Sequence, residues 1–503
     1  MAVVPRSGVT LPPPRGSFAL MDDQTGAEPE TIPIPVRSAR QTGLIAAAIA
    51  SAFFMEGLDG TVIATALPQI AHSFGEPTLN LTAAITSYLL SLAVFIPISG
   101  WVADRFGIRN VFCAAVLVFT VSSVLCGASR TLGELVAMRI LQGMGSSMMT
   151  PVGRLIMLRS FPKSEILRAI NYITIPALIG PSLGPIVGGF FVVYFSWRWI
   201  FYINLPIGIA AAVLAWCNIA NVRAPVREPF DFKGFGICGL GLATLQFALE
   251  NTGRQTIGTA ELLLLYAFGG VCLVGYRFHA RRAANPAVDL SLFRIRTFRI
   301  SMLTGALIRM PMGAAPFILP LLLQVCFGYT PLESGLHTAC LSVGAVISKT
   351  ATKVILRRVG YRMVLCANSV LVGLSLIGIA FLSKDTPSWL VAAYLLGIGW
   401  IRSVQFTSSS TLGYADMPSE LSSKASSIVS VGQQLSQSIG VAVAAASLAL
   451  LSGGGTLDVA DFRYVFAGFG LFAIVMAAAF LELRPEDGNS VSGYHVPPGN
   501  RAA

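Results

Sequence analysis

Apolar residues along this chain neither alternate as in a strand nor recur on one helical face. They run together in uninterrupted stretches of about 20 residues, the length that crosses a roughly 30 Å hydrocarbon layer as helix. Charged residues and Pro or Gly breaks divide these runs and predict fourteen helices, beginning near residues 43, 81, 110, 132, 168, 202, 233, 260, 298, 331, 362, 388, 425 and 464. The expected fold class is an all-α polytopic membrane protein. Composition agrees, since 54% of the 503 residues are hydrophobic and 12% are charged, whereas a soluble domain carries about 25% charged residues.

Charge then sets orientation. With the N-terminus in the cytoplasm, the even-numbered connections are cytoplasmic, and they hold Arg277, Arg281, Arg282, Arg294, Arg296 and Arg299 after span 8 and Arg357, Arg358 and Arg362 after span 10. The opposite side has Arg130, Arg198, Arg254, Lys384 and Arg463. The asymmetry predicts that both termini are cytoplasmic, and it accounts for the net charge of +11 without nucleic acid. The organisation it implies is a disordered cytoplasmic tail over residues 1–41, an N-terminal six-helix bundle over 42–222, two linker helices over 223–280, a cytoplasmic loop over 281–297, a C-terminal six-helix bundle over 298–484 and a cytoplasmic tail over 485–503. Proline and acidic residues precede any apolar run, so no cleavable signal is expected, and Met21 is an alternative start. ADRFGIRN (103–110) after span 2 and LRRVGYR (356–362) after span 10 are faint echoes of one basic turn with a central Gly, as expected of a repeat-built transporter with its site between the halves.

Candidate chemistry begins in span 1, where Glu56 and Asp59 lie three residues apart and so on one helical face. A carboxylate inside a lipid-surrounded helix is costly and usually faces a cavity or moves protons. Desolvation and a like-charged neighbour both oppose double ionisation, so the pair suits a proton carrier; the alternative is a static hydrogen-bonded acid that locks helices together. Arg139 in span 4 sits at the depth of Asp59, roughly 10 Å from the outer surface at 1.5 Å per residue, and is its expected counter-charge. Gln142 shares that face. GPSLGPIVGG in span 5 (Gly180, Pro181, Gly184, Pro185, Gly188, Gly189) reads as a hinge or a tight helix interface. The turn GWVADRFGIRN puts Gly100, Asp104, Arg105, Gly107 and Arg109 at the cytoplasmic surface, where Asp104 is a candidate latch on a facing helix N-terminus.

In the second half, Arg309, Gln433 and Gln434 are cavity candidates, Lys349 and Arg154 are expected to snorkel to headgroups, and Arg402 is assigned to neither class. Asn204 and Pro206 are expected to shape the start of span 6. The eight cysteines fall in or beside apolar runs without metal-ligand spacing and are read as buried thiols. There is no Walker loop, nucleophile elbow or metal cluster in the sequence, so neither ATP hydrolysis nor hydrolase chemistry is expected.

These motifs, in this order, resemble the major facilitator superfamily and within it the fourteen-span drug:proton antiporter branch. LDGTVIATALPQIA, GWVADRFGIRN, RILQGMG and GPSLGPIVGG resemble the branch's motifs in span 1, after span 2, in span 4 and in span 5, and WRWIFYINLPIG and LFRIRTFRI extend the likeness over about Gln41 to Leu483. PVGRL, LLQVCFGY and QQLSQSIGVAV are similar to MdtD- and HsrA-type transporters of Gram-negative inner membranes. The resemblance implies a major facilitator fold of 14 transmembrane helices, two six-helix bundles plus two central ones. It implies alternating access and proton-driven efflux of small amphipathic compounds or drugs, with no cofactor and no enzymatic activity. Asp59 and Glu56 would couple protons, Arg139 would assist transfer, Asp104 would gate and Gly180 to Gly189 would serve antiport. Glu56 departs from the Gln expected there, and span 13 has no acid of the kind some members use for dications. A small-molecule substrate and membrane lipid are the expected partners of a monomeric transport unit, with a periplasmic adaptor and an outer-membrane channel as candidate partners. Export of one metabolite, such as an amino acid or siderophore, is the second reading, and a non-transporting membrane sensor or scaffold the third.

Overall fold

Lipid offers no hydrogen bonds to a peptide group, so apolar runs of this length satisfy their backbones within themselves. The computed structural model describes residues 39–160, 166–223, 229–252, 257–418, 421–453, 455, 457–492 and 494, and every regular element among them is helical. The first half holds α1 (Ala39–Phe74), α2 (Thr82–Phe95), α3 (Ile108–Ala128), α4 (Leu132–Ser160), α5 (Ile166–Tyr194) and α6 (Asn204–Asn218). The linker pair α7 (Phe232–Asn251) and α8 (Thr259–Ala280) follows. The second half holds α9 (Arg296–Leu321), α10 (Pro331–Val359), α11 (Tyr361–Ile379), α12 (Ser388–Leu412), α13 (Ser422–Ser452) and α14 (Val459–Ala477).

Of the expected tail and alternative start, residues 1–38, with Met21, lie outside the described residues, and Arg40 and Gln41 are already helix. Among the described residues, eleven helices are long and apolar enough to span a membrane, and α10, bent by 56° between Lys349 and Ala351, makes a twelfth. The expected spans near 132 and 168 are the helices α4 and α5, of which α4 falls short on apolarity. α4 carries Glu134, Arg139, Gln142 and Arg154, whereas the sequence of α5 holds one charged residue, Arg168.

Two seams join the halves, α2 against α13 and α5 against α10. In a repeat that matches α1–α6 with α9–α14, these seams are equivalents of each other. The linker helix α7 lies against α2 and α13, one from each half, and α8 lies against α7. The echoed turns fold alike: Gly107 (φ +93°) and Gly360 (φ +80°) each reverse the chain between two helices with one residue in the left-handed region, which a side chain would strain. Each turn is covered by the segment that closes its half, Asn221 over Gly107 and Tyr494 over Gly360. The expected tail after residue 484 is thus packed in part, with Arg296 Nη2 3.8 Å from Asp487 Oδ2.

We call the face bearing these two turns and the start of α1 the terminal face. Among the described residues, hydrogen bonds join the halves at mid-depth and toward the opposite face: Ser342 Oγ donates to Pro181 O at 3.4 Å, Ser438 Oγ to Thr86 O at 3.2 Å and Gln324 Nε2 to Thr65 O at 3.1 Å. The structure is therefore closed on the face opposite the termini.

Candidate functional site: a buried ion pair and a cation-lined cavity

α1 is buried from Ile45 to Ala71 along one stripe, and Asp59 sits in that stripe with no exposed surface. Its carboxylate is held by three side chains from two helices. Arg139 Nη1 donates to Oδ2 at 2.6 Å, and Gln142 Nε2 and Asn204 Nδ2 donate to Oδ1 at 2.9 and 3.1 Å. Arg139 is itself only 1% exposed; it also donates to Gln142 Oε1 at 2.7 Å and, through Nε, to Ala84 O of α2 at 3.0 Å, with its guanidinium 4.2 Å from the Tyr88 ring centre. A buried carboxylate and guanidinium are tolerable together because each offsets the other's desolvation and further hydrogen bonds engage Arg139 Nε and both Asp59 oxygens. Asn204, read from sequence as shaping the start of span 6, is instead a ligand of Asp59. Glu56 lies one turn nearer the terminal face, half-buried, and accepts from Thr150 Oγ1 of α4 at 2.6 Å.

The glycines of α5 let it approach α1 at backbone distance. A Cβ at Gly180, Gly184 or Gly188 would lie 2.5 Å from Phe54 O, 2.9 Å from Leu58 O or 2.5 Å from Val62 O, so the stripe at every fourth residue runs along the segment that carries Glu56 and Asp59. Gly189 faces the other way, where a Cβ would lie 2.5 Å from Pro331 O at the start of α10. Pro185 has no N–H for the carbonyl of Pro181. That carbonyl accepts instead from Thr61 Oγ1 of α1 at 3.3 Å and from Ser342 of α10, so a broken helical hydrogen bond is re-made across both neighbours.

Between the halves lies a cavity of about 370 Å³, within the range of small-molecule sites. Its wall is largely apolar, with Ile85, Leu89, Phe317, Leu341, Phe406 and Val441, and it includes Arg309, Lys349, Arg402 and Gln437. Arg309 is 3% exposed and donates to Ser409 Oγ at 3.0 Å, and Arg402 Nη2 donates to Met312 O. Lys349 does not snorkel to headgroups: its helix face turns toward α12, and Nζ donates to Thr407 Oγ1 at 2.8 Å. Arg154 is exposed. Three other expectations shift. Gln142 is sealed in the Asp59 network and does not line the cavity; Gln433 donates to Ser410 Oγ at 3.2 Å; and the glutamine on the cavity wall is Gln437, one turn beyond Gln433 and Gln434 on the same helix. Of the cysteines, Cys113 and Cys126 are buried, whereas Cys217 is exposed and the others lie between, since an apolar thiol is as compatible with lipid as with a core.

At the terminal face, the short helix Ser99–Phe106 carries Gly100 and half-buried Asp104. Arg105 lies 5.5 Å from the Trp101 ring centre and Arg109 4.5 Å from that of Trp216. A Cβ at Gly107 would lie 2.1 Å from Asn221 Oδ1, which fixes the turn against the end of the first half. Among the described residues there is no group of His, Cys, Asp and Glu that could hold a metal ion.

Residues 49–441 and 301–496 match the family described as Major Facilitator Superfamily. A protein named "Putative multidrug resistance protein MdtD" from Pectobacterium atrosepticum is 39% identical over 404 residues, 80% of this chain and 86% of its own length. One of the same name from Serratia proteamaculans is 38% identical over 396 residues, 79% of this chain and 83% of its own. Solved structures share the fold: a peptide transporter POT in complex with sulfate (TM-score 0.67, 15% identity, 92% of this chain and 98% of that one) and the nucleoside transporter NupG (TM-score 0.64, 13% identity, 87% and 99%). A bacterial homologue of the lysosomal transporter Spinster in an inward-facing conformation gives 0.61 at 16% identity, covering 92% of this chain and 100% of that one.

Proposed function

The chain belongs to the major facilitator superfamily and is a multi-pass membrane transporter, and on that premise we propose that it exports small amphipathic compounds across a bacterial inner membrane in exchange for protons. The observation that carries this reading is the ion pair of Asp59 and Arg139, sealed in the first half one turn beyond half-buried Glu56. With the termini in the cytoplasm, the closed face is periplasmic and this conformation opens inward. The Asp59 carboxyl is then held by Arg139, Gln142 and Asn204.

Proton uptake requires those donors to withdraw. Rocking that slides α1 along the glycine stripe of α5 displaces Asp59 from α4 and α6, and a carboxylate left without its partners in a dry site takes a proton. Arg139 cannot discharge, so its return expels that proton. Glu56, about 4.5 Å nearer the terminal face by helical rise, is placed to pass it to the cytoplasm.

The test is substrate-driven proton movement in proteoliposomes, run over a panel of drugs and metabolites. The intact protein is expected to release protons with at least one compound, Asp59→Asn to release none, and Glu56→Gln to slow release. Coupling retained in Asp59→Asn overturns the assignment.

A further inference from the structure

The two halves treat a buried arginine differently. In the first, Arg139 meets a carboxylate, an amide and a carbonyl. In the second, Arg309 is buried to the same degree, yet its one hydrogen bond runs to the Ser409 hydroxyl, and its Nε and Nη1 have no protein partner. A guanidinium has five N–H donors, and leaving them unpaired in a dry wall is costly unless a charge arrives to meet them. Arg402 on the neighbouring helix repeats the pattern: Nη2 reaches Met312 O and Nε has no protein partner. Lys349 adds a third cation on the same wall, and no Asp or Glu lines the cavity among the described residues. Gly305 makes the room, for a Cβ there would lie 2.2 Å from Ser409 Oγ and 3.0 Å from Arg309 Nη2.

We propose that the cavity is an organic-anion site in which Arg309 and Arg402 pair with an anionic head group while Phe317, Leu341 and Val441 hold an apolar body. Phe317 stands eight residues beyond Arg309 on α9, about 12 Å by helical rise, which separates the charged and apolar ends of the site. A carboxylate, sulfonate or phosphate meets guanidinium donors with short charge-assisted hydrogen bonds. A cationic ligand would instead enter beside three like charges with no counter-charge on the wall. The inference rests on the transporter reading and narrows its substrate to amphipathic anions.

Two dyes with one xanthene core and opposite charge supply the test: fluorescein, an anion, and rhodamine 123, a cation, titrated by fluorescence polarisation into the full chain in lipid nanodiscs. Fluorescein is expected to bind at least about tenfold more tightly than rhodamine 123. Arg309→Gln and Arg402→Gln should each weaken fluorescein about tenfold or more without weakening rhodamine 123, and Arg309→Lys should keep most of the affinity. Lys349→Gln, at an exposed position, gives the same reading should either arginine variant fail to fold. Equal or tighter binding of rhodamine 123, no saturable binding of fluorescein, or indifference of fluorescein to these substitutions overturns the inference. Asp59→Asn separates the two claims, because it should still bind fluorescein while losing proton coupling. Charge-selective binding without proton release under any condition removes the coupling reading and leaves this one, whereas proton-coupled export confined to cations does the reverse.

Discussion

At the scale of single residues, the pair at the centre of the first half carries an energetic signature. Removing one member of a buried ion pair leaves an uncompensated charge and costs about 3–5 kcal/mol, whereas removing both charges is often nearly neutral. Arg139→Gln should therefore lower the unfolding temperature of the purified protein clearly, and Asp59→Asn/Arg139→Gln should recover most of the loss without recovering proton coupling. A double variant as unstable as the single one would assign the pair a different role. The sequence made Asp59 and Arg139 legible because helical rise puts them at one depth, but it hid Asn204. An asparagine two residues before a proline reads as a helix-start residue, and only packing shows that α6 turns its amide onto the carboxylate at 3.1 Å. Arg309 was visible as a costly charge and Arg402 was left unassigned, whereas the absence of carboxylates around them among the described residues is a property of the folded wall.

Whole elements are governed by how closely backbones approach. Gly184→Val would drive a branched side chain into Thr61 and Leu58, whose atoms lie 2.0 and 2.9 Å from the position of a Cβ. Overpacking of this kind costs about 1–3 kcal/mol, so transport should fall while Gly43→Ala at the exposed start of α1, where a Cβ meets nothing within 4 Å, stays near the unaltered rate. Equal rates for the two would remove the stripe from the mechanism. Outside the membrane, Asp231 caps α7 by accepting from Gly234 N–H at 2.8 Å and also meets His279 Nε2 at 2.8 Å. Burial raises its pKa, but the hydrogen bonds from Gly234 and His279 outweigh burial and leave the carboxyl below the ordinary aspartate range. Its contribution is thus present above the unfolded value of about 3.9 and fades as pH falls through the lower folded one. Asp231→Ala should cost about 0.5–2 kcal/mol and speed amide exchange at the start of α7 at pH 7; unchanged exchange there would contradict the cap. Helix positions were legible from apolar runs almost throughout. Departures occur where polar chemistry starts or interrupts a helix, as at the Asp458 cap that begins α14 before the apolar residues near 464, and in α4, whose site residues lower its apolarity.

Over the whole molecule, the account makes one conformation of two. The halves meet through Thr65 and Gln324 on the closed face. In a Thr65→Cys/Gln324→Cys pair a short bifunctional thiol reagent should bridge the two positions in the resting protein and lock it, whereas a reagent that enters from the terminal face should label Arg154→Cys; failure to bridge would argue against closure there. The two-half plan was legible from the echoed basic turns, and folding explains the echo, because Gly107 and Gly360 occupy the same left-handed corner under the closing segments of their halves. What the linear chain did not contain was the pairing of α2 with α13 and α5 with α10, which encloses the cavity. The central claim is that one buried acid in α1 takes up and gives back a proton as the halves rock. Infrared difference spectra of the reconstituted protein between acidic and neutral media test it without a known substrate. The account predicts a protonated-carboxyl signal that disappears in Asp59→Asn and persists in Glu56→Gln; spectra of Asp59→Asn identical to those of the unaltered protein would contradict it.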